Sequence, residues 1–145
     1  MIQVICPVCG AALEPQGAAW RCVQGHCFDV ARQGYVNLLT VTQKHSRHPG
    51  DTREMVAARR AFLDAGWYAP IAKTLADLVR RFCPAAEAVL DAGCGEGYYL
   101  SQLGWVPERW GIDISRDAVR YAAVRDRSAH WLTATAAHLP FADGG

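Results

Sequence analysis

Two acids and three glycines at fixed spacing are the first residues in this chain able to do chemistry. In Ala88-Val89-Leu90-Asp91-Ala92-Gly93-Cys94-Gly95-Glu96-Gly97, an apolar run that reads as a buried strand ends in an acid. It then passes into a turn with glycine at alternate positions. Such glycines let the backbone turn sharply and leave room for a ligand where a Cβ would collide. They also deliver the chain to a helix N-terminus, whose free N–H groups attract a carboxylate. A second run, Arg109-Trp110-Gly111-Ile112-Asp113-Ile114, carries an acid 22 residues after Asp91. An acid at the tip of a second strand is placed to accept hydrogen bonds from both ribose hydroxyls of a nucleoside. The spacing Gly93-x-Gly95-x-Gly97 is not the dinucleotide pattern G-x-G-x-x-G, so a dinucleotide is not the expected ligand.

The second group is metal-binding. Of six cysteines, four lie within residues 6–27. Cys6-Pro7-Val8-Cys9-Gly10 is a knuckle in which two thiolates fold back onto one ion and the glycine relieves the turn. Cys22, His26 and Cys27 follow. A tetrahedral zinc site needs four ligands. Cys6, Cys9 and Cys22 supply three, and spacing alone leaves His26 and Cys27 as alternatives for the fourth. A redox C-x-x-C belongs at a helix start in a βαβ unit, a context that does not precede Cys6. Cys83 and Cys94 read as small packing residues.

Bulk properties bound the partners. With 145 residues and 51% apolar side chains, the chain suits one domain, or a small domain with part of another. Net charge is +1, so charge alone does not make it a polyanion binder. Residues 1–50 nevertheless hold four Lys/Arg and three His against two acids, a weak bias toward an anionic partner. No run approaches the roughly 20 apolar residues that span a bilayer, and the N-terminus lacks a basic patch followed by an apolar run. The expectation is a cytosolic protein with no membrane partner, in which paired cysteines are uncommon.

The elements that must position these groups follow in order. Residues 1–40 are expected to form a zinc-binding module of short strands, including Trp20–Cys22 and Phe28–Val30, with Trp20, Phe28 and Tyr35 as a mini-core. Such a unit depends on its metal for stability, so loss of Cys22 is expected to unfold residues 1–40 and spare the rest. Residues 41–50 are a basic linker in which Lys44, His45, Arg47 and His48 can meet phosphates. Asp51 and Glu54 have the spacing of a capping box for a helix through Asp64 that Gly66 stops. Arg59 and Arg60 are adjacent, so one at most faces a given site. A second helix starts near Pro70, with Ile71, Leu75, Leu78, Val79 and Phe82 expected to pack on the sheet. Strand one (about 88–92), a helix (about 97–104), strand two (about 109–114), a helix capped by Ser115 and strand three (130–134) complete residues 51–145. Alternating strands and helices mean a parallel α/β sheet.

The glycine turn, Asp91 and Asp113 together resemble the cofactor site of class I S-adenosylmethionine (SAM) methyltransferases. That resemblance implies Asp91, Gly93, Cys94, Gly95, Gly97 and Asp113 as cofactor contacts. It also puts the loop after strand three, with Thr135 and Ala136, against the adenine. Many such enzymes have Asp where Thr135 stands. Three strands are half of such a sheet, with strand one expected between strand two and a fourth strand. The chain is therefore expected to be the N-terminal part of a longer enzyme and inactive alone.

A closer resemblance runs from Cys6 to Phe141. Its motifs are Cys6-Pro7-x-Cys9, Cys22-x-x-x-His26, the run Phe28–Leu39, Ser46-Arg47-x-Pro49-Gly50-Asp51, the run Ala58–Gly66, and Leu90–Tyr99. It is similar to the bacterial 23S rRNA (guanine-N1)-methyltransferases. The resemblance implies Cys6, Cys9, Cys22 and His26 as ligands of a structural zinc. It implies a small zinc-ribbon module that helps recognise RNA, followed by a class I domain holding SAM. The substrate it implies is a guanine in a 23S rRNA hairpin loop. Lys44, Arg47 and His48 are the candidate RNA contacts outside the zinc ribbon. A homodimer is admitted by this reading, and no residue is assigned as general base.

Overall fold

Glycines and short β-prone runs build the N-terminal third. In the computed structural model, which describes residues 2–144, β1 (Leu13–Gln16), β2 (Ala19–Cys22) and β3 (Cys27–Asp29) form an antiparallel sheet of order β1-β2-β3. Leu13 pairs with Cys22, and Trp20 pairs with both Pro15 and Phe28. This is the three-stranded frame expected of a zinc ribbon.

The second sheet is wholly parallel, of order β4-β7-β6-β5. It contains β5 (Ala88–Ala92), β6 (Glu108–Asp113) and β7 (His130–Thr133), as the alternating pattern predicts. Its remaining member differs from expectation. β4 (Tyr35–Asn37) lies in the segment assigned from sequence to the metal module, yet it pairs in parallel with β7. Three residues are too short for a periodicity signal. β4 is placed by what β7 leaves unpaired.

The helices are α1 (Arg53–Asp64), α2 (Ala69–Phe82), α3 (Tyr98–Ser101) and α4 (Arg116–Arg125). α1 is capped by Thr52, whose hydroxyl accepts from the Met55 N–H at 3.3 Å. Asp51, the expected cap, instead pairs with Arg59 at 2.8 Å. Ser115 caps α4 as expected, accepting from the Ala118 N–H at 3.2 Å. α3 is one turn, shorter than predicted, and gives way to a run of turns through Trp105. α2 departs most. Ile71, Leu75, Leu78 and Phe82 are exposed rather than packed on the sheet. Only Ala72, Ala76 and Val79 face inward. The cause is β5: it is the sheet's outer strand among the described residues, so half of the α2 stripe overhangs the edge.

Each face of the parallel sheet has its own core. On one, Leu100, Leu103, Val106, Val119, Ala122, Ala123 and Trp131 pack with Tyr35. On the other, Trp110, Ile112, Leu132 and Ala134 pack against Val4, Leu13, Cys22, Val36 and Leu38, with Trp20 and Phe28 at the margin. The zinc-ribbon strands thus share a core with the sheet. Trp20 meets Trp110 edge-on at 6.2 Å. Backbone pairing of Ile5 with Pro140 and of Gln3 with Ala142 fastens the N-terminus to the loop after β7. The mini-core expected of Trp20 and Phe28 is real but not separate, and Tyr35 belongs to the opposite core.

Two glycines are dictated by packing. A Cβ on Gly111 would stand 2.3 Å from the Trp131 ring, so the indole lies directly on bare β6 backbone. Gly97, at φ 84°, would meet the same ring at 2.7 Å and Ala122 at 3.0 Å. Together they let Trp131 sit between the sheet, α4 and the turn after β5, where its Nε1–H donates to the Asp126 carbonyl at 2.7 Å.

Candidate functional site

Four ligand atoms converge where the knuckle faces the turn after β2. The ligating atoms of Cys6, Cys9, Cys22 and His26 all lie within 4.8 Å of one another. The Sγ atoms of Cys9 and Cys22 are 3.7 Å apart. The Nδ1 of His26 is 3.6 Å from Cys6 Sγ and 3.4 Å from Cys22 Sγ. A tetrahedron built on Zn–S bonds of about 2.3 Å has edges of about 3.8 Å, slightly shorter to nitrogen. The cluster therefore has the dimensions of a zinc shell. All four cysteines of this region are free thiols, and Cys27 is exposed at the start of β3, outside the cluster. Local backbone bonds build the cage: Gly10 N–H donates to Cys6 O and Gly25 N–H to Cys22 O. Burial raises the Cys22 thiol, but hydrogen bonds from His26, Gln24 and Cys9 outweigh it and hold the group down at about 7. A low-pKa thiol is the form a metal needs. Four protein ligands close the coordination sphere and leave no open position, so the metal's role is structural.

The second site lies at the C-terminal ends of β5 and β6. Asp113 ends β6, and its carboxylate accepts from the Gly95 N–H at 3.0 Å and the Ser115 N–H at 2.8 Å. Each oxygen keeps lone-pair capacity toward the cleft. Gly93, Asp113, Thr135 and Ala136, four of the residues expected to touch a cofactor, line one cavity of about 240 Å³. On the other side of Gly93, Asp91 and Cys94 line a second cavity of about 280 Å³ with Tyr99 and Leu75. Gly93, at φ 91°, has no atom within 4 Å of where a Cβ would stand, so the backbone is open to a ligand. Burial, then the neighbouring Asp113, pushes the Asp91 carboxyl above its ordinary range. Neither acid has an ion-pair partner among the described residues. A ligand carrying positive charge, such as SAM with its ammonium and sulfonium, fits this pair.

Gly97 and Cys94 serve the cleft indirectly. Gly97 caps α3 and packs against Trp131, while the Cys94 side chain is buried and its thiol is pushed strongly upward by burial. Cys94 is thus an inert packing thiol whose backbone alone lies in the turn. Glu96, 2% exposed, is turned away from the cleft. It accepts from Arg125 Nε at 2.9 Å, and Arg125 also reaches Asp64 at 2.8 Å. This network clamps α1, α4 and the glycine turn together. Nothing in local sequence pairs residues 29 and 61 positions apart, so it was not foreseen. Arg59, exposed on α1, brings a guanidinium nitrogen 4.0 Å from the Cβ position of Gly95. Of the two adjacent arginines it is the one at the cleft, since Arg60 lies over Tyr121.

Lys44, Arg47 and His48 are exposed and line a polar cavity of about 500 Å³ with the first turns of α1 and α4. This cavity shares Ile114 with the one holding Asp113. The linker cations are therefore at the same end of the sheet as the cofactor cleft.

Two family models match the two parts of the chain. The zinc-ribbon family described as RlmA, N-terminal, matches residues 4–47, and the Methyltransferase domain family matches residues 90–145. The chain is 41% identical over 96% of its length to the 23S rRNA (guanine(748)-N(1))-methyltransferase of Streptomyces fradiae, covering 51% of that protein. A Micromonospora griseorubida protein named for guanine-N1 methylation of 23S rRNA is 41% identical over 95% of this chain and 53% of its own. YxjB of Bacillus subtilis, named for the same activity, is 33% identical over 95% of this chain and 51% of its own. Among solved structures, Streptomyces venezuelae DesVI is similar over 59% of this chain and 36% of its own, at 27% identity and a TM-score of 0.46. The chain spans about half the length of the curated relatives it matches. No helix among the described residues is long and apolar enough to cross a membrane. With its zinc ribbon and glycine turn, the chain is thus similar, over nearly all of its own length, to about half the length of proteins named 23S rRNA (guanine-N1)-methyltransferases.

Proposed function

We propose that this chain is the zinc-ribbon and cofactor-binding part of an enzyme that methylates N1 of a guanine in a hairpin loop of 23S rRNA. The observation that carries the reading is the shared end of the sheet. The acid-flanked cleft at Gly93 and the linker cations Lys44, Arg47 and His48 open side by side. Loop RNA suits such a site, because unpaired bases can be splayed out of the strand.

Bound SAM supplies a methyl group already activated as a sulfonium. In this reading Asp113 accepts from the ribose hydroxyls, and Thr135 with Ala136 flanks the adenine. The open backbone at Gly93 and Gly95 admits the methionine end near Asp91. Guanine N1 holds a proton at neutral pH, so that proton must leave to solvent or a base as N1 takes the methyl and the C–S bond breaks to leave the neutral thioether. The residues described here contribute alignment, which can supply much of a barrier reduction. Zinc holds the ribbon in shape against the sheet and takes no part in transfer. A homodimer is compatible with this reading and is tested by sedimentation of the purified protein.

The test is transfer of labelled methyl from SAM to unmodified 23S rRNA, followed by primer extension. A methyl on N1 blocks the Watson–Crick edge and stops the polymerase. A stop at one loop guanine is expected. Full extension of label-free RNA, from protein that binds both zinc and SAM, would refute the reading.

A further inference from the structure

The cavity beside the cofactor cleft has a polar floor. Thr133, 1% exposed, carries a hydroxyl with no hydrogen-bond partner. It ends β7 two residues after Trp131, so strand alternation turns both side chains to the same face, the one bearing α4. Thr133 lines the cavity of about 500 Å³ there. Its register partner across the β4–β7 pair is Asn37. The Asn37 side-chain oxygen accepts from the Leu39 N–H at 3.2 Å, which leaves its amide NH₂ without a partner among the described residues. A buried hydroxyl left unpaired is costly, and two adjacent unpaired donors at the floor of an open cavity await an acceptor.

The walls say which acceptor. α1, of 12 residues, and α4, of 10 residues, both begin at this cavity. The first-turn N–H groups of Arg53 and Arg116 have no intrahelical partner, and two helix N-termini give the space a positive bias. Lys44, Arg47, Arg53 and Arg116 line it against Asp51, Glu54 and Asp117, of which Asp51 is already engaged by Arg59. Donors below, helix N-termini at the sides and surplus cations at the rim describe a phosphate site.

We propose that this cavity is a phosphate subsite seating a phosphodiester of the substrate RNA, with Thr133 and Asn37 donating from the floor and Arg116 pairing at the rim. The proposal rests on the RNA reading above and adds to it the group that fixes the strand beside the cofactor. A phosphodiester there positions the RNA without reading its sequence.

The test is binding of a short uridine-only RNA to the full chain over a range of salt, separate from any methyl transfer. Thr133→Val keeps the side-chain shape and removes the hydroxyl. It is expected to weaken RNA binding about fivefold to tenfold with the salt slope unchanged, since no charge is lost. Arg116→Gln, at an exposed position, is expected to weaken binding and reduce the salt slope by about one phosphate contact. SAM affinity and melting temperature check that each variant is folded. Wild-type RNA affinity in both variants overturns the proposal. So does a site that takes inorganic phosphate, seen in the Asn37 amide resonances, while RNA affinity ignores both substitutions. Failure of 23S methylation alongside intact, variant-sensitive RNA binding would overturn the methylation reading and leave this site standing.

Discussion

At the scale of single residues, the chemistry here turns on acids held in unequal environments. Asp113 is supported by two backbone N–H groups, whereas Asp91 is half-buried beside it without a counter-charge among the described residues and its carboxyl is raised. A cationic cofactor prefers the ionised form of Asp91. SAM affinity is therefore expected to fall as pH drops through the raised Asp91 value, and Asp91→Asn should remove that dependence. Calorimetric titration between pH 4 and neutrality reads this; a flat wild-type profile would mean that Asp91 does not face the cofactor. The stability consequence has a definite sign. A carboxyl raised on folding contributes least once it must ionise, so Asp91→Asn costs little stability at neutral pH. Both acids were legible from their place at strand ends. Asn37 and Thr133 were not, because an unpaired hydroxyl exists only once neighbouring strands are in register.

At the scale of elements, connections between strands and helices are locked by side chains far apart in sequence. Arg109 on β6, 6% exposed, pairs with Asp126 at the end of α4 and donates to Ser128 at 2.6 Å. Burial works against the Asp126 charge, yet hydrogen bonds from Ser128 and Arg109 prevail and hold its carboxyl below the ordinary range. A depressed carboxyl contributes stability above its unfolded value, about 3.9. That contribution is lost as pH falls through the folded value. Asp126→Asn is accordingly expected to lower stability at neutral pH and to flatten the acid limb below about pH 4, measured as denaturant midpoints against pH. Packing supplies a second prediction. Gly111→Ala drives a methyl into the Trp131 ring and should cost about 1–3 kcal/mol or more, whereas alanine at Gly104, with no atom in reach, should be nearly neutral. Helix positions were readable from capping residues and periodicity. The outward stripe of α2 was not, since periodicity locates an apolar face without saying whether a strand lies beneath it.

At the scale of the whole molecule, the zinc ribbon and the parallel sheet share one core. Cys6 and Cys22 belong to the candidate metal cluster and also to the core shared with Trp110, Ile112 and Leu132. Chelating zinc, or Cys22→Ser, should therefore lower the melting temperature of the entire chain in a single transition, since metal binding is folding free energy. Sequence alone suggested instead that residues 1–40 would unfold by themselves. Calorimetry distinguishes the two, because an independent ribbon would give a separate low-temperature transition and leave the main one in place.

The kinds of chemistry were determined by sequence alone, because they depend on which groups stand a few residues apart. A knuckle offers half a zinc shell, and strand-end acids around alternate glycines offer a candidate cofactor site, wherever the rest of the chain goes. Spacing left His26 and Cys27 open, and only the fold brings the His26 ring within 3.4 Å of Cys22 Sγ while leaving Cys27 outside. Tertiary structure also decided that β4 joins the parallel sheet, that the ribbon shares the core of that sheet, and that Arg125 ties α1 to the glycine turn. Each of these is a contact between distant segments. Such contacts depend on which surfaces remain uncovered once the local elements exist, a property of the assembled elements rather than of any stretch of residues.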